Sequence, residues 1–178
     1  VAEIAARARA KGVSVLVDGA HAPGAIPLDV PGIGADFYIA NLHKWAMAPK
    51  GCGFLWARPE KQAGLHPPVI SWGLDKGFTA EFDWVGTRDP SPWLCAPEGI
   101  AFLQELGESA VQKWNHNLAW EAARLLTHRW QTPLEVAEAS VGTMVTLPLP
   151  TALGSTRDDA ARLRDGLLFE DGIEVQLH

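Results

Sequence analysis

Val13-Ser14-Val15-Leu16-Val17-Asp18 is an almost unbroken apolar run that ends in a carboxylate. Ahead of it, Ile4, Ala5 and Ala8 repeat with helical spacing over residues 2–11, and Gly12 closes the pattern. The passage reads as a helix feeding a buried strand of a parallel sheet. A Pro- and Gly-rich turn over residues 20–34 leads to Ala35-Asp36-Phe37-Tyr38-Ile39-Ala40, a second predicted strand, and then to the polar residues Asn41, His43 and Lys44. A third strand, Gly53-Phe54-Leu55-Trp56-Ala57, follows the Pro49-Lys50-Gly51 turn. The class is α/β. In open α/β sheets ligands lie outside the carboxyl ends of the strands, so Asp18 and the residues after Ala40 are expected to meet in one crevice.

From Gly64 to Pro92 the chain is rich in Gly, Pro and Trp and reads as a packed loop without regular elements. Pro97 then sits in a first helical turn with Glu98 beside it. A longer helix follows, whose apolar stripe (Val111, Trp114, Leu118, Ala122, Leu125, Leu126) predicts the buried face. Thr132-Pro133 ends it. A strand over Val141–Leu149, a helix over Ser155–Asp171 capped by Ser155, and a strand over Ile173–Leu177 are predicted beyond. The expected division is residues 1–105, a connecting helix over 106–131, and a smaller α+β unit over 132–178. The chain opens with Val1 inside a helical pattern and closes on a strand-like alternation, so it is read as a fragment at both ends.

Composition narrows the function classes. Of 178 residues, 47% are hydrophobic and 20% charged, which excludes disordered and fibrous chains. Fifteen Lys+Arg against twenty-one Asp+Glu leave a net charge of -6 with no basic run, which argues against nucleic acid and anionic membrane surfaces as partners. No apolar run approaches the ~20 residues of a membrane span, and no signal-peptide pattern opens the chain. Cys52 and Cys95 lie in apolar sequence and read as reduced, buried thiols, which points to the cytoplasm.

The residues that stand out chemically are Asp18, His21 and the pair His43-Lys44. An Asp at a strand end is most often a turn or cap residue. A lysine set among Leu42, Trp45 and Ala46 is less ordinary, because desolvation favours the free amine and makes it a usable nucleophile. Asp18, His21 and His43 are also of metal-ligating type, but no third His or Cys is well spaced, and no metal site is expected.

Five segments resemble the class V aminotransferase family of pyridoxal 5′-phosphate (PLP) enzymes, most closely its isopenicillin-N-epimerase-like branch. They are Val17-Asp18-Gly19-Ala20-His21, Gly34-Ala35-Asp36-Phe37-Tyr38, Asn41-Leu42-His43-Lys44-Trp45, residues 49–56 (Pro-Lys-Gly-Cys-Gly-Phe-Leu-Trp) and Trp84-Val85-Gly86-Thr87-Arg88-Asp89. The resemblance covers about residues 1–130. It implies the type I, aspartate-aminotransferase-like fold, with residues 1–105 as part of the PLP-binding large domain and 132–178 as part of the small one. Lys44 would condense with the cofactor aldehyde and then carry the proton at the substrate α-carbon. Asp18 would pair with the pyridinium nitrogen, and His21 would lie near the ring's phenolic oxygen. His43 and Asn41 would reach the phosphate, Asn41 standing where many members have Ser or Thr. Gly86-Thr87 would bind the phosphate of a neighbouring subunit's cofactor, which implies a homodimer. Arg88 is a weaker candidate for substrate contact, an exposed ion-paired arginine being the plainer reading. The family's upstream phosphate loop, its aromatic that stacks on the ring and its far C-terminal carboxylate-binding Arg fall outside these residues.

The expected function is that of an enzyme acting on an amino acid through Lys44 and α-proton abstraction, with aminotransferase or epimerase chemistry. Two alternatives stand beside it: a non-catalytic piece that folds or dimerises with a missing half, and a PLP-dependent C–S or β-lyase. Persulfide-forming desulfurase chemistry is disfavoured, because no Cys follows Cys95 in this sequence.

Overall fold

The computed structural model describes residues 1–177. Its elements run α1 (Ala2–Arg9), β1 (Leu16–Asp18), α2 (Val30–Ile33), β2 (Phe37–Asn41), β3 (Gly53–Ala57), α3 (Pro59–Gln62), α4 (Phe78–Asp83), α5 (Ser91–Leu94), α6 (Ala96–Glu105), α7 (Glu108–Trp130) and α8 (Arg157–Phe169). They form two compact units, Val1–Lys113 and Trp114–His178.

In the first unit the three strands form one sheet in the order β1-β2-β3. β1 pairs with β2 in parallel, setting Asp18 beside Ile39, and β2 pairs with β3 antiparallel, setting Asn41 beside Gly53. Tyr38 and Ala40 are buried, whereas Ile39 between them is exposed, the alternation of a strand with one covered face. Asp36, also buried, accepts from the Val15 N–H at 2.8 Å and faces the Arg58 guanidinium at 3.8 Å, tying the entry of β2 to both neighbours. A small cluster of Ala48, Cys52 and Ala96, with Leu42 packed against it, joins the loop after β2 to the first turn of α6. Pro97 and Glu98 occupy that turn as predicted.

Several elements differ from the sequence reading. The first strand is shorter than Val13–Val17: β1, at the edge of the three-stranded sheet, spans only Leu16–Asp18, and Leu16 is exposed. The Gly64–Pro92 stretch is not devoid of regular structure: it contains α4, whose buried Glu81 is hydrogen-bonded to His66 Nδ1 at 2.7 Å. Cys95 is exposed, unlike Cys52.

In the second unit α7 ends at Trp130, where Gln131 turns into a positive φ of 56° ahead of Thr132-Pro133. Its buried residues are Ala123 and Thr127, and the predicted stripe of Trp114, Leu118 and Leu125 faces outward. Apolar periodicity marks a face that needs cover without specifying what covers it. No strand forms over 141–149 or 173–177. Alternation alone does not make a strand without a neighbour to pair with, and Pro148 has no N–H to offer one. α8 starts two residues later than the expected Ser155, with the cap one residue along at Thr156 in a reciprocal capping box with Asp159.

Candidate active site

The parallel register of β1 and β2 brings the carboxyl ends of both strands to one edge of the sheet, as the patterning implied. Asp18 ends β1, and one of its carboxylate oxygens accepts from the Ala20 N–H at 3.0 Å, leaving the other without a protein partner among the described residues. The buried Tyr38 hydroxyl is pushed above its ordinary range, first by burial and then by the nearby charge of Asp18. A carboxyl group thus stands at the end of this strand, next to the buried Tyr38.

The segment after β2 is a closed loop. Leu42 N–H donates to the Cys52 carbonyl at 3.0 Å, and Ala48 N–H donates back to Leu42 at 3.0 Å. His43 Nδ1–H donates to the same Cys52 carbonyl at 3.2 Å, so a neutral His43 has no second ring proton to offer to an anion, and only its imidazolium form would carry one on Nε2. Two glycines clamp the loop. Gly24, at φ +79°, lies so close that a Cβ there would stand 2.3 Å from the Trp45 carbonyl oxygen. A Cβ on Gly99 of α6 would stand 2.7 Å from the Met47 carbonyl. Met47 itself adopts a positive φ of 60°, a turn that non-glycine residues seldom make.

This loop delivers Lys44 to His21. Lys44 Nζ lies 2.9 Å from His21 Nε2, and the Trp45 indole N–H donates to His21 Nδ1 at 3.3 Å. Lys44 is half-buried and paired, rather than enclosed among its apolar neighbours in sequence. Asp18, Asn41, His43 and Arg88 line an open cavity of ≈ 820 Å³, with Trp93 on its wall. The Asp18–His21 turn and the Asn41–Trp45 segment thus each contribute to both groupings, cavity and amine.

Arg88 forms no ion pair among the described residues; its guanidinium stacks 4.4 Å from the Trp93 ring centre. Gly86 lines a separate shallow pocket with Trp72 and Trp84, and Thr87 is exposed, so the single chain does not bring these two to Lys44. Sequence reasoning did not single out Trp45, Gly24 or Gly99 as site residues. Only the flanking of Lys44 by an indole was visible, because the partners lie more than twenty residues apart. No group of three or more His, Cys, Asp or Glu side chains suited to a metal occurs among the described residues.

Comparison with known proteins agrees with this geometry. A family model described as aminotransferase class-V matches residues 1–165. Isopenicillin N epimerase of Streptomyces clavuligerus is 38% identical over 192 residues, covering 98% of this chain and 47% of that protein. L-cysteine desulfhydrase of Arabidopsis thaliana is 36% identical over 181 residues, covering 98% of this chain and 40% of that protein. The apo structure of cysteine desulfurase from Thermococcus onnurineus NA1 shares the fold, with a TM-score of 0.72 at 22% identity over 93% of this chain and 43% of that one. The chain spans less than half the length of these relatives. A lysine-bearing loop at the carboxyl edge of an α/β sheet, the family match over nearly all of the chain and the shared fold lead to one assignment: the chain belongs to the aminotransferase class-V family of PLP-dependent enzymes, with their type I fold.

Proposed function

We propose that this chain supplies the lysine-bearing part of a PLP-dependent site that acts on an amino acid. The observation that carries the reading is the Lys44 amine held 2.9 Å from His21 in a loop that also borders the Asp18 cavity. The residues present fit the cofactor's ring end. They offer a primary amine for its aldehyde, an imidazole beside that amine, and a carboxylate with a free oxygen for a protonated ring nitrogen. Bound there, PLP supplies an electron sink for the substrate α-carbon. Asp18 would keep the ring nitrogen protonated, and His21 would hydrogen-bond beside the amine. Lys44 would carry the cofactor and then take and return the α-proton as general base and acid. Asn41 and His43 would hold the phosphate, His43 as an imidazolium with its second proton on Nε2, and Arg88 would meet the substrate carboxylate.

The branch of chemistry favoured is proton transfer at the α-carbon, as the relative named isopenicillin N epimerase supports. A second reading, cleavage of a C–S bond, is favoured by the relative named L-cysteine desulfhydrase. Both begin with the same proton abstraction by Lys44. In the working enzyme Gly86-Thr87 would reach the site of a second copy, making a homodimer. Cys52 and Cys95 are free, which supports a reducing compartment such as the cytoplasm. No helix of the described residues is long and apolar enough to cross a membrane.

The test is an absorption spectrum of the full-length protein with added PLP, then borohydride reduction and peptide mapping. The expected result is a visible band whose reduced adduct maps to Lys44 and is lost in Lys44→Ala. An adduct spread over other lysines, or one unchanged in the variant, would overturn the assignment. Sulfide release from L-cysteine by the loaded enzyme, with α-proton exchange of other amino acids absent, would move the reading to the lyase branch.

A further inference from the structure

We propose that Trp93 is a positioning residue that holds the Arg88 guanidinium at the cavity wall and leaves its N–H rim for a carboxylate ligand. The guanidinium carbon lies over the Trp93 ring, 4.4 Å from its centre, and both side chains line the cavity that Asp18, Asn41 and His43 also border. A guanidinium is planar, with its five N–H donors spread around the rim. Contact with an aromatic ring uses the face of the cation and contact with a carboxylate uses the rim, so one arginine makes both at once. A lysine ammonium has no such division, because its three donors surround a single point. The ring also fixes where the charge sits. An arginine left free on an exposed loop would lose its rotamer freedom on meeting a ligand, and contact with Trp93 removes part of that loss beforehand.

The acids around Arg88 leave it uncommitted. Asp89, its neighbour in sequence, accepts from the Ser91 hydroxyl at 2.6 Å and from the Ser91 N–H at 2.9 Å, at the entry to α5. These two bonds hold the Asp89 carboxyl below its ordinary range, so it stays ionised and engaged with Ser91. Asp18 accepts from the Ala20 N–H, and neither it nor Asp83, the other acid on the cavity wall, pairs with Arg88 among the described residues. α5 thus occupies Asp89 at its first residue and presents the indole two residues later. The ligand that fits is a carboxylate, whose two oxygens match two parallel N–H groups of the rim. That this carboxylate belongs to an amino-acid substrate rests on the proposed function, whereas the role of Trp93 toward Arg88 does not.

The test treats the full-length protein, with no PLP added, with phenylglyoxal, which reacts with accessible guanidinium groups, and follows Arg88 by peptide mapping. Acetate is the probe. The expected result is that acetate slows the labelling of Arg88, while chloride at the same ionic strength does not. In Trp93→Leu the acetate concentration for half protection should rise about 2–5-fold, the size of an exposed cation–π contact, and Trp93→Phe should fall between the two. Arg58, which donates to the Gly34 and Ala35 carbonyls, should label slowly in every variant and so report an intact fold. Three results overturn the proposal: no acetate protection in the unaltered protein, equal protection by chloride, or a half-protecting concentration unchanged in Trp93→Leu. If fast labelling of Arg58 shows that Trp93→Leu does not fold, the presence or absence of a rise in Trp93→Phe decides instead. Loss of the Lys44 adduct with this protection as expected would remove the proposed function and leave the carboxylate site standing. A normal Lys44 adduct with protection indifferent to Trp93 would remove this proposal alone.

Discussion

Cys52 and Cys95 show how one residue type takes two characters from its surroundings. Burial in the cluster with Ala48 and Ala96 pushes the Cys52 thiol up, so at neutral pH it stays protonated and shielded. Cys95 is exposed at the head of α6. The thiolate is the nucleophile in alkylation, so iodoacetamide at neutral pH should label Cys95 at least ~10-fold faster than Cys52. Mass mapping of a time course checks this, and adding denaturant should abolish the difference. The same residue scale carries the site's chemistry: the sequence marked Asp18, His21, His43 and Lys44 by type and spacing, but not the hydrogen bonds that direct them. Those depend on which ring nitrogen meets which partner across twenty or more residues.

At the level of elements, the loop that carries Lys44 is shaped by the helix packed against it. Gly99 is a helical residue whose missing side chain lets α6 lie against the Met47 backbone. Gly99→Ala places a methyl group 2.7 Å from that carbonyl, so the loop must move. The expected cost is about 1–3 kcal/mol from overpacking, together with a lower yield of PLP adduct at Lys44, three residues upstream of Met47. Gly166→Ala in α8 is the control. Its added methyl has nothing within 4 Å, and alanine suits a helix interior better, so about 0.5–1 kcal/mol of stabilisation is expected. Denaturant unfolding of the two variants should move the midpoint in opposite directions. The third strand was legible residue for residue, the start of α6 to within one and that of α8 to within two, because caps, Pro positions and β-branched or aromatic runs act locally. Strands at 141–149 and 173–177 were not, since pairing is a property of two segments.

For the whole molecule, the unsatisfied surfaces decide behaviour in solution. Trp114, Leu118 and Leu125 form an outward apolar line on α7 with 70%, 57% and 65% exposure, and Leu16 leaves the β1 side of the sheet uncovered. Exposed apolar faces and open strand edges drive association. The 178-residue chain alone should therefore self-associate, and light scattering should show a mass above the 19.2 kDa monomer. Trp114→Lys with Leu118→Lys should lower that mass without loss of helicity. A clean monomer for the unaltered chain would contradict the expectation.

The sequence by itself determined the α/β class, the three strands, the major helices and the family to which the Lys44 loop belongs. Those features arise from periodicity, capping and short motifs, which are set by neighbours along the chain. Only the tertiary structure decided that α7 turns its predicted core stripe outward and that Arg88 stacks on Trp93 instead of pairing with an acid. It also decided that Gly24 and Gly99 clamp the lysine loop, and that Trp45 reaches His21. Each of these depends on which distant segment arrives alongside, and a steric contact or a hydrogen bond acts only over the few ångströms that packing alone can close.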